Sequence, residues 1–122
     1  MEFEYKKLNK LEDRISESHK IRKQYPDKIP IICERDPRSN LPDINKSKFL
    51  VPSDLTLEQF NYMIRRRMSS IDNDILYLLV DGEDCLYEDG NVTIEEIYNK
   101  YKNYQDGLLY LAYTNCTKWL KK

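Results

Sequence analysis

Glycine, histidine and paired cysteines are scarce in this sequence. Three glycines and one histidine occur among the 122 residues, which leaves little material for a phosphate-cradling loop and one candidate imidazole base. Cys33, Cys85 and Cys116 form no CxxC pair and are odd in number, so neither a disulfide framework nor a zinc site is indicated and we expect reduced, partly buried thiols. The scarcity argues against a metal site and a cofactor site.

Sequence motifs of catalysis are missing as well. The chain has no P-loop, GxGxxG, nucleophile elbow or HExxH motif, each of which would supply a phosphate cradle, a nucleophile or metal ligands. The one histidine, His19, lies in the charged segment SESHKIRK, where an exposed helix residue is a better interpretation than a catalytic base. We therefore do not predict an enzyme.

Long apolar segments are also missing. No apolar run approaches the roughly 20 residues of a membrane span, and the start MEFEYKKLNK lacks the apolar middle of a secretory signal. A chain of 122 residues suffices for one domain with a single core. We expect a cytoplasmic, monomeric protein.

The charges are unevenly distributed although the formal net charge is only −1. Residues 1–70 hold 15 Lys/Arg against 11 Asp/Glu, while residues 71–122 hold 5 against 10. A basic half favours acidic peptides or anionic lipid head groups, whereas a nucleic-acid partner would demand a stronger basic excess. We predict no nucleic-acid binding.

The first half of the chain predicts helices followed by two strands. Residues 1–10 suit a short helix or a mobile arm, and residues 11–25 form an amphipathic helix that ends before a proline. Residues 28–34, KIPIICE, predict a strand, and Pro30 favours an edge or irregular position. Residues 48–52, KFLVP, predict a second strand near a sheet edge, because the proline at its end has no N–H for the ladder.

The second half predicts two capped helices among further strands. Thr56 and Gln59 have the spacing of a capping box, as do Thr93 and Glu96. Residues 75–80, ILYLLV, are a continuous apolar run that suggests the central strand of the sheet; residues 85–87 suggest a minor strand and residues 108–113 the last one. This order suits an α+β sheet with its helix on one face, a pattern that several folds share.

Long ordered motifs narrow the choice of fold. The segments IRKQYPDKIPIICER, NLPDINKSKFLVPSDL and KSKFLVPSDLTLEQFNYMIRRR closely resemble the autophagy ubiquitin-like modifiers, the family of GABARAP and its microtubule-associated light-chain relatives. The resemblance implies a ubiquitin-like β-grasp with a four- to five-stranded mixed sheet and two additional N-terminal helices. It implies an N-terminal helical extension at residues 1–25, a core at 26–114 and a C-terminal tail at 115–122.

The resemblance also implies a function. Family members bind short linear motifs, an aromatic residue followed after two positions by an aliphatic one, by adding the peptide as a strand to a sheet edge. The implied roles are autophagosome formation, cargo recruitment or vesicle trafficking, on autophagosomal or other vesicle membranes. The alternative is a non-conjugated trafficking or cytoskeletal scaffold that uses the same groove.

The resemblance assigns residues to this groove. The aromatic pocket would be lined by Glu17, Ile21, Pro30, Ile32, Lys48, Leu50 and Leu108. The aliphatic pocket would be lined by Phe49, Val51, Pro52, Leu55, Phe60, Met63 and Ile64. Partner acids would face Lys28, Lys46 and Arg67. Of these, Leu55, Phe60 and Ile64 could equally be core residues, and charged residues beside an edge strand could instead protect it from aggregation.

The C-terminus departs from the family pattern. Family members carry a glycine seven residues beyond the last-strand tyrosine, where a lipid is conjugated, and this position is Leu120 here. Leucine cannot adopt the conformations open to glycine, so we expect no conventional lipid conjugation of this chain. Three explanations stay open: an altered end, a divergent member that works without conjugation, or peripheral membrane contact through residues 116–122.

Overall fold

The computed structural model describes residues 1–68, 75–86 and 90–115. Each capped or periodic segment of the sequence forms its expected element, and the two N-terminal helices precede the sheet. The elements in chain order are α1 (Glu4–Leu8), α2 (Leu11–Gln24), β1 (Lys28–Arg35), β2 (Lys48–Pro52), α3 (Leu57–Arg65), β3 (Tyr77–Val80), β4 (Asp84–Cys85), α4 (Ile94–Tyr101) and β5 (Leu109–Thr114).

The strands form one mixed sheet in the order β2-β1-β5-β3-β4. Antiparallel pairing joins β1 to β2, β3 to β4 and β3 to β5, while β1 and β5 run parallel. A five-stranded mixed sheet with two N-terminal helices confirms the expected α+β grasp architecture.

The prediction that residues 75–80 form the central strand is wrong. The middle position belongs to β5, and all six of its residues are buried. Both segments are continuous apolar runs, as strands covered on two faces require. Their order in the sheet depends instead on pairing between distant segments. β5 pairs with β1 on one side and with β3 on the other, so β3 is not the middle strand.

The edge position expected from Pro30 also needs correction. β1 lies between β2 and β5, yet the parallel register with β5 begins only at Ile31. The Cys33 N–H donates to the Ser47 carbonyl at 2.8 Å, so residues 29, 31 and 33 direct their backbone groups to β2 and Pro30 directs its own to the other side. The proline therefore precedes the β5 ladder, where no N–H is required of it.

Both predicted helix caps are present and they adjoin each other. The Thr56 side chain accepts from the Gln59 N–H while the Gln59 side chain accepts from the Thr56 N–H, and Thr93 accepts from the Glu96 N–H. Thr56 and Thr93 also form an isolated antiparallel bridge. The starts of α3 and α4 are thus fixed by side chains and by each other's backbone.

Apolar side chains pack on both faces of the sheet. One cluster joins Ile31 and Phe49 of the strands to Phe60 and Ile64 of α3 and to Ile97 of α4. The other cluster, on the opposite face, consists of Phe3, Tyr5, Ile32, Leu79, Leu108, Tyr110 and Ala112. Because alternate strand residues face opposite sides, the N-terminal helices cover one face and α3 with α4 cover the other.

Helix α1 is held by polar as well as apolar contacts. The Glu34 carboxylate accepts from the Glu4 N–H at 2.8 Å and from the Tyr5 N–H at 3.0 Å. Phe3 packs edge-on against Tyr110 with ring centroids 5.2 Å apart. Of the two interpretations of residues 1–10, a short helix or a mobile arm, the structure shows the short helix, docked on the sheet.

Candidate functional site

β2 lies at one edge of the sheet. In the described part of the chain β1 is its one strand neighbour. Since the Ser47 carbonyl points to β1, residues 47, 49 and 51 direct their backbone groups inward and residues 48, 50 and 52 direct theirs outward. Lys48 and Leu50 therefore present both N–H and C=O groups to an added strand, whereas Pro52 has no N–H and its carbonyl already accepts from the Leu55 N–H at 3.1 Å.

The side chains of β2 alternate in the same period. Phe49 and Val51 are buried, while Lys48, Leu50 and Pro52 are exposed. Leu50 keeps 38% of its surface accessible, so an apolar side chain is available to a partner at this edge. One short strand thus serves the core with one face and the surface with the other.

The predicted aromatic pocket is built on the face of β2 that lies toward α2. Pro30 is paired with Leu50 and Ile32 with Lys48, and cross-strand partners place their side chains on the same face. Ile32 also packs in the second cluster with Leu108. Of the seven residues predicted for this pocket, Pro30, Ile32 and Leu108 are buried, Glu17 and Ile21 are half-buried, and Lys48 and Leu50 are exposed.

An ion pair connects α2 to the edge strand. One oxygen of Glu17 binds the Lys48 ammonium, and the other accepts from the Tyr5 hydroxyl. Burial acts to raise the pKa of Glu17, but the bonds from Lys48 and Tyr5 outweigh it, so the pKa lies below its ordinary value. Glu17 is therefore a carboxylate at neutral pH and holds Lys48 toward the helix.

Tyr5 is a site residue that the sequence did not indicate. Its hydroxyl contacts Glu17, and the Lys48 ammonium lies 5.8 Å from its ring centroid. Burial, followed by the bond to Glu17, raises the pKa of Tyr5, so the hydroxyl stays a donor. A single aromatic among charged residues gives no periodic signal, and only docking of α1 brings it to the groove.

The predicted aliphatic pocket lies on the other face of β2, between this strand and α3. Phe49, Val51, Phe60 and Ile64 are at most 3% exposed and belong to the main core. The surface at this place is formed by Leu55 and Met63, which are half-buried. Pro52, predicted for this pocket, alternates with Val51 and lies on the same face of β2 as Leu50. An incoming side chain would therefore meet Leu55 and Met63 first.

Two of the predicted basic residues cover the ring of Phe49. The Lys46 ammonium and the Arg67 guanidinium each lie 5.2 Å from the ring centroid, which is cation–π distance. Both residues are exposed. In contrast, Lys28 is half-buried, its N–H donates to the Tyr25 carbonyl and its own carbonyl accepts from Arg22.

Residues considered for catalysis lie apart from this groove. Cys33 is fully buried, and burial with the nearby Glu34 raises the pKa of its thiol above the ordinary value. His19 is exposed on α2. Among the described residues no three His, Cys, Asp or Glu side chains are grouped to hold a metal ion, and no helix has the length and apolar character to cross a membrane. Leu120 and Cys116 lie outside the described residues.

The fold and the edge site together define a ubiquitin-like protein with two added N-terminal helices. The chain matches the model of the family described as "Autophagy protein Atg8 ubiquitin like" over residues 13–119. It therefore belongs to the Atg8 family and is an autophagy-related ubiquitin-like protein. Members of this family generally bind short motifs of autophagy partners and are generally not enzymes.

Proposed function

We propose that this protein is an adaptor that binds aromatic-x-x-aliphatic motifs by strand addition along β2. The observation that supports this most is the edge itself, because Lys48 and Leu50 direct N–H and C=O groups away from β1. An extended peptide satisfies such groups and directs alternate side chains into flanking pockets. Its aromatic side chain would enter beside Leu50, Ile21 and Glu17.

The aliphatic side chain of the motif would settle on Leu55 and Met63. To reach deeper it must displace Lys46 and Arg67 from the Phe49 ring, because both cations cover that ring. Acids next to the motif would attract the two cations and so uncover the ring. Acidic residues in the partner would therefore help its aliphatic side chain to reach the Phe49 ring.

The expected affinity is micromolar. Burying an aromatic and an aliphatic side chain contributes on the order of 1.5–3 kcal/mol each, and strand pairing adds backbone hydrogen bonds. Ordering the peptide offsets part of this gain. A binding free energy of about −8 kcal/mol, which is a micromolar dissociation constant, is the outcome we expect.

Hydrogen exchange tests strand addition residue by residue. In the free protein the amides of Lys48 and Leu50 should exchange fast, and those of Phe49 and Val51 should be protected by β1. An eight-residue peptide with two acids before a Trp-x-x-Leu motif should protect the amides of Lys48 and Leu50 and leave Phe49 and Val51 unchanged. Binding without this alternating protection would exclude strand addition.

A surface variant tests the pocket without touching the core. Leu50→Arg should weaken binding of the same peptide at least about tenfold, since it removes an apolar wall worth over 1 kcal/mol. Tyr62→Arg is the matched control, because Tyr62 is a large exposed side chain on α3 with 61% of its surface accessible. Calorimetry with both variants decides the matter; equal affinities would mean that the peptide binds elsewhere.

In the cell we propose that such binding recruits cargo or membrane-forming machinery to autophagosomal or other vesicles. A tagged protein should then form puncta on amino-acid starvation, and Leu50→Arg should reduce their number while Tyr62→Arg should not. If Leu50→Arg leaves the number of puncta unchanged, the protein reaches vesicles without using the groove.

A further inference from the structure

A second concave site lies between α2 and the segment that joins α4 to β5. This cleft has a volume of about 380 Å³, and its lining includes His19, Arg22, Tyr98, Lys102, Asp106 and Gly107. The groove residues Glu17 and Ile21 are absent from its lining. The cleft is therefore separate from the edge of β2.

The Tyr98 ring is held by a hydrogen bond and lies within cation–π distance of two basic side chains. Its hydroxyl donates to the Gly107 carbonyl at 2.5 Å. The Arg22 guanidinium lies 5.1 Å and the Lys102 ammonium 5.3 Å from its ring centroid. Both cations and the ring line the same cleft.

The position of Arg22 is set by a second contact. One of its terminal N–H groups donates to the Lys28 carbonyl at 2.6 Å, so the guanidinium is directed before any ligand arrives. Across the residues that the structure describes, neither Arg22 nor Lys102 forms an ion pair with a carboxylate. Because both cations line one cleft, an anion in that cleft would be attracted by both charges.

The carboxylate of the cleft does not supply this anion. Asp106 is buried, and one of its oxygens binds Arg14 at 3.2 Å and the Tyr110 hydroxyl at 2.6 Å. Its other oxygen accepts from the Leu108 N–H at 2.9 Å. The charge of Asp106 is thus compensated by Arg14, which is outside the lining of the cleft.

We propose that this cleft binds the phosphomonoester of a phosphorylated serine or threonine on a partner protein. A guanidinium fork and an ammonium are the groups that recognise phosphate, the first by paired N–H bonds and the second as a point charge. The volume suits a side chain of this size in a pocket that is already formed.

A recessed phosphoamino-acid site fits these observations better than a lipid surface does. Membrane attraction requires several basic residues spread over an exposed face, whereas here the two cations converge on one ring. Helix α4, which supplies that ring, also carries Glu95 and Glu96, both exposed, in its first turn. These acids would oppose a broad contact with anionic lipid.

The test uses acetyl-Ala-phosphoserine-Ala-amide and its unphosphorylated form as probes in NMR titrations of the whole protein. The phosphorylated probe should shift the backbone amides of Gln105 and Gly107, and the unphosphorylated probe should not. Lys102→Gln and Arg22→Gln should each weaken binding at least about tenfold. Arg22→Gln could alter the fold because Arg22 also contacts the Lys28 carbonyl. Lys102→Gln does not remove that contact, so it tests the site independently.

Lys23→Gln is the matched control, since Lys23 is an exposed cation of α2 outside the lining of the cleft, and its loss changes the net charge equally. It should leave the affinity of the phosphorylated probe within twofold. An equal loss in all three variants would show general charge attraction and overturn the proposal. Binding to phosphatidylinositol-phosphate vesicles without binding to the phosphorylated probe would overturn it as well.

Discussion

Phe49 and Leu50 are adjacent in the chain but face opposite sides of β2. Phe49 is 2% exposed and its ring meets Phe60 edge-on at 5.9 Å, while Leu50 is 38% exposed. Both were assigned to the groove on the same resemblance. The exposed fractions show that Phe49 is a core residue and Leu50 a surface residue. We therefore expect the fold to tolerate substitution of Leu50 better than substitution of Phe49.

Phe49→Ala should lower the free energy of unfolding by about 3–5 kcal/mol, because it removes a ring from a packed core and leaves a cavity. Leu50→Ala should cost less than about 1 kcal/mol, since the side chain is partly in water already. Urea unfolding followed by circular dichroism measures both. Similar losses for the two variants would contradict the assigned orientation of β2.

Glu17 is a groove residue whose charge is affected by burial and by its neighbours. Its pKa lies below the ordinary value because Lys48 and Tyr5 outweigh the effect of burial. A depressed pKa means that the carboxylate stabilises the fold above the unfolded-state pKa of about 4.3 and loses this effect as the pH falls through the folded value.

Glu17→Gln should therefore lower stability at neutral pH, and the difference from the unchanged protein should disappear toward the acid end. Unfolding midpoints between pH 3 and pH 7 measure the effect. A difference between Glu17→Gln and the unchanged protein that stays constant over this range would refute the role of the ion pair.

At the scale of elements, α1 depends on a carboxylate from the sheet. A helix of five residues is too short to be stable alone, and Glu34 accepts two of its first N–H groups. Phe3 and Tyr5 add apolar contact with Tyr110. Docking of α1 in turn brings Tyr5 to Glu17 and so connects the N-terminus to the groove.

Glu34→Ala should release α1 while leaving the sheet intact. Two charge-assisted hydrogen bonds are lost, each worth about 1.5–3 kcal/mol, so the amides of residues 4–8 should exchange faster and those of α2 should not. Exchange monitored by mass spectrometry tests this, with Glu12→Ala as the control for a lost exposed acid. Unchanged protection of residues 4–8 would show that apolar packing alone holds the helix.

At the scale of the whole molecule, charge is separated along the chain. The basic first 70 residues contain β2, which begins with the exposed Lys48, and the exposed side chains of Lys46 and Arg67 near it. Long-range attraction to an acidic partner acts before contact and affects the association rate most. Salt shortens its range to about 10 Å at 0.1 M.

Raising sodium chloride from 20 to 200 mM should therefore slow association of the acid-containing peptide several-fold and change its dissociation rate by less than twofold. A peptide with both acids replaced by serine should associate at nearly the same rate at the two salt concentrations. Stopped-flow fluorescence of the motif tryptophan measures both rates. Equal salt sensitivity of the two peptides would argue against steering by these residues.

The sequence by itself determined the local structure of this protein. Threonine with an acceptor three residues later fixes the starts of α3 and α4 through bonds within one turn. Alternation along residues 48–52 fixes which side chains of β2 face inward. These features depend on neighbours a few positions away, so the order of residues is enough to predict them.

Only the tertiary structure decided what distant segments do to one another. β5 takes the middle of the sheet because it pairs with β1 on one side and β3 on the other. Tyr5 reaches Glu17, and Arg22 with Lys102 reaches Tyr98, across many residues of chain. Such contacts follow from how the whole core packs. Because the hydrophobic effect is non-directional, a local sequence pattern does not specify which distant segments will meet.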